Sequence, residues 1–405
     1  MPMMSLPDWI AEFSRPDHVW YLKRLSANDT LANATHQAGP YIPKELLFRV
    51  LPGLHNREAE NPRVQVDAFV DSGTEVRSVT AIWYNNRHRG GTRDEARVTG
   101  WGGSASALLD PDSTGALAVF VFENGALDSG ATAIHVWVCN GYQDEMFEDV
   151  VGPVDPGKAI TWRPGEPISL FAAGSVRTSC SLRPSEMPPH WLERFPSAAE
   201  IVRRSVELQA LQSQTPDDRL VRRRKCEFEI FKSVEEALEG PKVEAGFRSL
   251  DEFLVLAQTI LQRRKSRSGR SLELHAREIF LEEGLVEHQQ FSHGATSEGD
   301  KKPDFLFPSA QAYADQDFPK ERLRMLAAKT TARDRWRQVL NEADRVSTKH
   351  LLTLQEGVSE NQFAEMEAAN LQLVIPASLI DAFPESVRPK LITLDSFIYQ
   401  VRGLR

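Results

Sequence analysis

Short apolar runs separated by turn residues dominate the first half of the chain, from about residue 62 to 170. Residues 116–122 and 133–139 are two such runs, and an Asn-Gly pair follows each of them closely. Runs of this length that are rich in Val, Ile, Phe and Trp are typical of β-strands. The first half is therefore predicted to be rich in β-structure.

Helical periodicity follows a proline-rich stretch at 182–190, which cannot continue a helix or a central strand. Ser197 opens a helical run to about residue 212, and Ser249 with Glu252 forms a capping-box pattern before apolar residues at helical spacing. Further on, the patterns predict strands at 302–308, 324–330, 351–354 and 371–375, and helices at 334–346 and from Ser359. We therefore predict a second half of the α/β class.

The length of 405 residues is more than one hydrophobic core usually organises. We predict a domain at 1–180, a linker at 181–196 and a domain at 197–405. No run of about 18 apolar residues occurs and residues 1–14 lack a signal-peptide pattern, so a soluble, cytoplasmic protein is expected. The three scattered cysteines, Cys139, Cys180 and Cys226, are expected to be reduced.

The net charge of −9 argues against a surface devoted entirely to nucleic acid. Basic residues nevertheless concentrate in three clusters, which are Arg222 to Lys225, then Arg263, Arg264, Lys265, Arg267 and Arg270, then Arg333, Arg335 and Arg337. A single cluster of this kind is typical of a solvated helix face. Three clusters around one set of acids favour a phosphate-binding surface.

Asp304 and Lys329 are the first candidates for chemistry. Phosphodiester hydrolysis needs acidic oxygens that hold Mg²⁺ and a cation near the scissile phosphate. Asp304 follows Pro303 at the start of one predicted strand and Lys329 lies near the end of the next, an order that resembles the PD-(D/E)xK nuclease superfamily. The same order is also common by chance. The position two before the lysine is Ala327, which cannot bind a metal.

Glu342, on the predicted helix after Lys329, is the candidate for the missing acid. Such a migrated acid is known in one branch of the superfamily, which this chain resembles, and Glu273 corresponds to the fourth acidic member there. We expect in-line attack by a Mg²⁺-activated water, with Asp304 and Glu342 as metal ligands. Lys329 is expected to stabilise charge, Glu273 to support the site, and the products to carry 5′-phosphates.

Three residues beside Lys329 are candidates for reading bases. Arginine pairs with the O6/N7 edge of guanine and aspartate accepts from cytosine N4, so Arg333, Asp334 and Arg335 suit a run of G·C pairs. The alternative is a solvated first helical turn, where the helix dipole favours Asp334.

Several blocks of sequence resemble the EcoRII-type restriction endonucleases. In the second half these blocks are 265–275 (KSRSGRSLELH), 301–309 (KKPDFLFPS), 329–344 (KTTARDRWRQVLNEAD) and 352–359 (LTLQEGVS). In the first half they are 21–30 (YLKRLSANDT), 41–43 (YIP), 84–88 (YNNRH) and 92–93 (TR). The likeness follows the same order over nearly the whole chain.

The resemblance implies a type IIE restriction endonuclease that acts as a homodimer beside a cytosine-DNA methyltransferase. Its C-terminal domain would be a restriction-endonuclease-like α/β/α fold that cuts before the first cytosine of CCWGG. Its N-terminal domain would be a B3-like β pseudobarrel that binds a second copy of the sequence as effector and blocks the catalytic cleft in its absence. Family members also flip the central base pair, and Arg222 is the candidate for that pocket.

In the N-terminal half the expected DNA-reading arms are 23–41 and 89–101. Their candidate contacts are Lys23, His36, Tyr41, Arg93, Glu95 and Arg97. A lone loop histidine such as His36 is more often an incidental residue. Ala96 stands where the family often has a lysine. Tyr313 is a nucleophile candidate with a structural alternative, and Lys265 is a phosphate contact with a solvated alternative.

Two other functions remain open at this point. One is a sequence-specific DNA-binding protein that no longer cleaves. The other is a nonspecific repair nuclease built on the same catalytic fold.

Overall fold

The structure is a computed structural model that describes residues 4–33, 39–124, 130–141, 143–151, 153–163, 179–209, 214–299, 301–333 and 335–404. Two compact units divide the chain. The first comprises 1–173 with 355–363 and 381–388, and the second comprises 174–354, 364–380 and 389–405. No helix within the described ranges is long and apolar enough to cross a membrane.

The first unit is built on a seven-stranded sheet, which confirms the prediction of a β-rich half. Its elements are α1 (Leu6–Phe13), β1 (Val19–Arg24), α2 (Lys44–Val50), β2 (Arg63–Val70), β3 (Glu75–Tyr84), β4 (Glu95–Thr99), β5 (Leu117–Asn124), β6 (Ala131–Val138), α3 (Gln143–Val151) and β7 (Ala159–Trp162). The strand order is β4-β3-β2-β6-β5-β1-β7, antiparallel except for the β2–β6 pair.

The central strands of this sheet read as continuous apolar runs because both of their faces are covered. Successive side chains of a strand point to opposite faces. On β5, Phe120 and Phe122 join one core with Tyr21, whereas Val119 and Val121 join a second core with Trp9 and Trp137. The β5–β1 pairing brings Tyr21 opposite Phe120.

The second unit combines a helical layer with a five-stranded sheet. Its elements are α4 (Pro189–Glu193), α5 (Ala198–Leu208), α6 (Pro216–Glu244), α7 (Leu250–Glu282), β8 (Ser292–His293), β9 (Phe305–Phe307), α8 (Ala310–Ala314), β10 (Arg324–Ala328), α9 (Trp336–Val339), β11 (Lys349–Leu352), β12 (Leu371–Val374) and α11 (Leu394–Arg402). A further helix, α10 (Glu360–Ala368), precedes β12, and its residues up to 363 are assigned to the first unit. The strand order is β12-β11-β10-β9-β8, and the α/β prediction is confirmed.

The sheet of the second unit is mixed, and its helices cover it through apolar stripes. β10, β11 and β12 run parallel, whereas β8 and β9 are antiparallel to their neighbours. Leu272, Ala276 and Ile279 recur at helical spacing on α7 and share a core with Phe305 of β9 and Leu326 of β10. This packing fixes the rotation of α7 beside the sheet and so the direction of its other side chains.

The predicted helix caps are present. The Ser197 side chain accepts from the backbone N–H of Glu200, whose carboxylate accepts in return from the backbone N–H of Ser197. Ser249 caps α7 by accepting from the backbone N–H of Glu252. Each bond satisfies a donor that the first turn of a helix leaves open. The predicted capping box is wrong in its other half, because the Glu252 carboxylate accepts from the backbone N–H of Arg248 and not from that of Ser249.

The expectation of three reduced cysteines is wrong for two of them. Cys180 and Cys226 form a disulfide in the second unit, and Cys139 is a buried thiol in the first. The two half-cystines are 46 residues apart in sequence, but folding brings their Cα atoms to 5.2 Å, within the usual range for a disulfide. Sequence spacing alone does not reveal this approach.

Candidate active site

Asp304 and Lys329 meet at adjacent strands of the second unit. Asp304 immediately precedes β9, and Lys329 immediately follows β10, which pairs with β9. The Lys329 ammonium donates to Asp304 Oδ2 over 3.1 Å, and the Ala328 backbone N–H donates to the same oxygen over 2.7 Å. The structure therefore brings together the two residues that the sequence singled out.

The environment of Asp304 favours a shared proton or a bound cation. Burial raises the pKa of Asp304, although Lys329 and the bond from Ala328 oppose that rise, and the charge of Glu273 adds to it. A carboxylate in this position is an unusually good partner for positive charge, because its water has been removed.

Glu273 reaches the site from α7. Burial raises its pKa, but the His293 ring, the charge of Arg270 and a hydrogen bond with Asp304 together leave that pKa below its ordinary value. His293 Nε2 lies 3.7 Å from Glu273 Oε1, and the ring stacks on Phe305. The sequence argument missed His293. The one feature that could have pointed to His293 is its position on β8, which pairs with β9, the strand that begins after Asp304.

Glu342 lies in a turn, and the predicted helix at 334–346 is wrong. α9 covers only Trp336–Val339, and the backbone N–H of Glu342 donates to Val339 O over 3.1 Å. The next residue, Ala343, has φ +51°, the left-handed conformation that no helix continues. Helical spacing thus predicted the wrong element.

The electrostatics of Glu342 connect it to Asp304 and Lys329. Burial raises its pKa to about 7, Lys329 opposes the rise and Asp304 adds to it. Its Oε2 is buried and has no hydrogen-bond partner in the part of the chain that the structure describes. Such an atom loses its hydration without compensation, which is costly unless a cation or proton is bound.

This donor set fits a divalent cation. Mg²⁺ is a hard cation that prefers carboxylate oxygens, and the site offers Asp304, Glu342 with its unpartnered oxygen, and Glu273. Within the described ranges, however, no three His, Cys, Asp or Glu side chains are already converged on one metal position. Lys329 occupies Asp304 Oδ2 instead, so binding requires the side chains to converge.

Tyr313 is buried in the second unit, whereas Lys265 lies on its surface. The buried Tyr313 hydroxyl donates to Glu298, and burial together with that carboxylate raises the pKa of Tyr313. The backbone N–H of Arg345 donates to the same hydroxyl over 3.2 Å. Lys265 is exposed on α7.

The candidate base-reading residues of the second unit lie in two places. Arg333 and Arg335 are partly exposed just before α9, close in sequence to Lys329. Asp334 lies outside the described residues. Arg222 is exposed on α6.

Much of the expected phosphate-binding surface is internal. Arg223 and Arg267 are buried, the first paired with Glu282 over 2.7 Å and the second with Glu227 over 3.0 Å. Arg263 and Arg264 pair with Glu239 and Glu235. The prediction that these arginines form a phosphate-binding face is therefore wrong, because acids far along the chain neutralise them where α6 and α7 pack together.

In the first unit, four predicted DNA contacts line one cavity of about 550 Å³: Lys23, Tyr41, Glu95 and Arg97. Lys23 pairs with Asp29 over 2.7 Å, and Tyr41 is 58% exposed. Glu95 accepts from Arg93 over 2.6 Å and from Arg97 over 3.0 Å. Although burial opposes it, these two guanidinium groups lower the pKa of Glu95.

Arg93 also stacks over the Tyr84 ring at 4.0 Å. Ala96 lies between Glu95 and Arg97 in sequence, but its side chain faces the other side of β4 and is buried in the hydrophobic core. His36 lies outside the described residues.

Comparisons with known proteins agree with the predicted resemblance. Residues 14–166 match the family model for the N-terminal domain of restriction endonuclease EcoRII, and residues 231–398 match the model for the EcoRII C-terminal domain. The type II restriction enzyme EcoRII of Escherichia coli is 41% identical over 409 residues, which cover 100% of this chain and 99% of that protein.

Two solved structures are also similar over parts of the chain. Metal-depleted Ecl18kI in complex with uncleaved, modified DNA matches 53% of this chain and 81% of its own, with 17% identity and a TM-score of 0.44. The B3 domain of the UbaLAI restriction endonuclease with cognate DNA matches 38% of this chain and 97% of its own, with 17% identity and a TM-score of 0.28.

Proposed function

The chain belongs to the EcoRII family and is a type II restriction endonuclease, and on that premise we propose that it cuts DNA with Asp304, Lys329, Glu342 and Glu273. The observation that carries this proposal is the meeting of Lys329 and Asp304 on paired strands, beside Glu342, whose charge interacts with both. Among the described residues, Glu342 Oε2 has no hydrogen-bond partner. A structural salt bridge alone would not need a third, unsatisfied acid.

Each residue has a distinct role in the proposed hydrolysis. Asp304 and Glu342 would hold Mg²⁺, and Glu273 would support them from α7. When bound, the ion supplies positive charge beside the scissile phosphate. Lys329 would leave Asp304 Oδ2 for the phosphate, where its ammonium offsets the charge that develops during in-line attack by water. Cleavage of the bond to the 3′ oxygen leaves a 5′-phosphate.

The sequence that is cut is proposed to be CCWGG. Arg333, Asp334 and Arg335 suit its G·C pairs, since arginine binds guanine with two hydrogen bonds and aspartate accepts from cytosine. Arg222 is proposed for the pocket that takes a flipped central base, which would let one enzyme accept either A or T.

The first unit is proposed to bind a second copy of that sequence. Lys23, Tyr41, Glu95 and Arg97 line its cavity, and Arg93 is bonded to Glu95. His36 belongs to the predicted arm 23–41, with Lys23 and Tyr41. We further propose a homodimer, activation by the effector copy, autoinhibition in its absence, and protection of host DNA by a cytosine-DNA methyltransferase. Lys265 and Tyr313 stay candidates for phosphate contact and site support.

The test uses plasmids that carry zero, one or several CCWGG sites, incubated in Mg²⁺ with the wild type or with Lys329→Ala. The proposal expects the wild type to cut, fastest with several sites, and the variant to bind site DNA without cutting it. Lys320→Ala, at an exposed lysine, is the matched control. Cutting by Lys329→Ala would contradict the proposed site, and binding without cutting by the wild type would favour a reader that no longer cleaves.

A further inference from the structure

Glu342 is held in place by a turn that the chain does not adopt easily. Ala343 has φ +51°, a conformation that side chains other than glycine disfavour, and it directly follows the proposed metal ligand. A strained residue persists only where its surroundings fix it, and such residues concentrate at functional sites. The surroundings of Ala343 are therefore informative.

Lys349 is the main constraint on this turn. It lies on β11, where its side chain is only 7% exposed, and its ammonium donates to the Ala343 carbonyl over 2.5 Å. The backbone N–H of Val346 donates to the same carbonyl over 2.9 Å. A buried ammonium loses its hydration, and this bond to the carbonyl offsets part of that loss.

A second group of contacts fixes the other side of the turn. Glu298 accepts from the Tyr313 hydroxyl and from the backbone N–H of Asp344, the latter over 3.3 Å. The Tyr313 hydroxyl accepts in turn from the backbone N–H of Arg345 over 3.2 Å. The two residues that follow Ala343 are therefore held by their backbone, whatever their side chains do.

We propose that Lys349 is a positioning residue, which holds the strained Ala343 turn so that the Glu342 carboxylate faces the metal position. Tyr313 and Glu298 support the same turn. The inference rests on the proposed role of Glu342 as a metal ligand. The geometry gives Tyr313 a task that needs no nucleophilic step, since its hydroxyl bonds to Glu298 and to the backbone of the turn.

The test compares Lys349→Met, Lys349→Arg and the double variant Lys349→Met/Ala343→Gly with the wild type. Two quantities are measured: the Mg²⁺ concentration for half-maximal plasmid cutting, and Mn²⁺ binding by electron paramagnetic resonance. The second uses protein bound to an uncleavable oligonucleotide that carries the sequence the enzyme cuts. Lys349→Met should raise both metal constants at least tenfold with DNA affinity unchanged, and Lys349→Arg should restore them in part.

The double variant separates positioning from a general loss of stability. Glycine adopts φ +51° without strain, so Ala343→Gly should bring the metal constants of Lys349→Met back toward the wild type. Lys320→Met is the control and should change neither constant. Unchanged metal constants in a folded Lys349→Met protein, or a loss that glycine does not relieve, would overturn the inference. A wild type that does not cut would instead contradict the proposed function.

Discussion

The two units handle charge in opposite ways. In the first, the charges that line the proposed recognition cavity neutralise one another, as Lys23 does with Asp29 and Glu95 with Arg93 and Arg97. In the second, Asp304 and Glu342 have raised pKa values, and one Glu342 oxygen is buried with no partner among the residues that the structure describes. The charges of the recognition surface are paired before DNA arrives and must exchange ion pairs for bases. In the cutting site Lys329 already pairs with Asp304, but the buried Glu342 oxygen still needs a cation or a proton.

The largest effect should come from removing the acid at the centre of the cutting site. Asp304→Asn keeps the shape but loses the charge that holds both Lys329 and the cation. We expect single-turnover cutting of supercoiled plasmid to fall by about a thousandfold or more, the scale of losing a charge-stabilising group. Asp317→Asn, at an exposed aspartate, should cut normally. Substantial cutting by Asp304→Asn would mean that the second unit does not cut through the Asp304 carboxylate, and the contrast in charge between the two units would have no functional meaning.

The second prediction concerns stability against pH in EDTA. The folded pKa of Glu342 is about 7, against an ordinary value of 4.5, so the folded protein retains a proton there that the unfolded chain has lost. Stability falls with pH wherever the unfolded state binds fewer protons. The free energy of unfolding should therefore decrease from about pH 4.5 to 7 and then level, by roughly 1–3 kcal/mol for this group.

Denaturant unfolding across that range checks the prediction with one variant and one control. Glu342→Gln should lack most of the decrease and be more stable than the wild type at pH 8. Glu385→Gln, at an exposed glutamate, should follow the wild type. An equal decrease in Glu342→Gln and the wild type would mean that burial does not raise the pKa of Glu342 in the folded protein.

A third prediction tests the satisfied charges of the first unit. Glu95→Ala releases Arg93 and Arg97, which should strengthen binding to any DNA and steepen its salt dependence. The same change removes an acceptor for cytosine, so preference for the cognate effector should fall by about 1–3 kcal/mol. Stimulation of plasmid cutting by added cognate and mutated oligonucleotides measures this preference. Undiminished discrimination would place base reading elsewhere.

The sequence predicted those structural features that are determined by neighbouring residues, and it failed for features that depend on contacts with other parts of the fold. The strands β5 and β6 and the Ser197 cap follow from neighbouring residues, and their patterns predicted them. The turn at Ala343 depends on Lys349 of the next strand and on Tyr313, which lies 32 residues before Arg345, so helical spacing was misleading. The buried arginines escaped notice for the same reason, since Arg223 finds Glu282 59 residues away.

In the candidate site, too, the residues with a local sequence motif were predicted and those placed only by the sheet were missed. Pro303 and the strand patterns placed Asp304 and Lys329 on neighbouring strands, which their 3.1 Å contact confirms. His293 and Lys349 lie on other strands and carry no motif of their own. Only the strand order of the sheet shows that β8 pairs with β9 and that β11 pairs with β10.

The smallest effect is expected at Tyr313. Tyr313→Phe removes one hydroxyl from the contacts around Ala343 but leaves Lys349 in place. Cutting at saturating Mg²⁺ should be retained within a few-fold, with a modest rise in the Mg²⁺ concentration for half-maximal cutting. Loss of cutting at every Mg²⁺ concentration, in a protein that still binds its site, would instead support a nucleophilic tyrosine.

The central claim is that this chain cuts DNA at a specific sequence through an acid-lysine site that needs a cation. The most direct measurement is to digest unmethylated genomic DNA with the wild type and with Asp304→Asn, in Mg²⁺ and in EDTA, and to sequence the ends. We predict 5′-phosphate ends before the first cytosine of CCWGG for the wild type in Mg²⁺ alone. Ends with no common sequence, or the same ends from Asp304→Asn or in EDTA, would contradict the account.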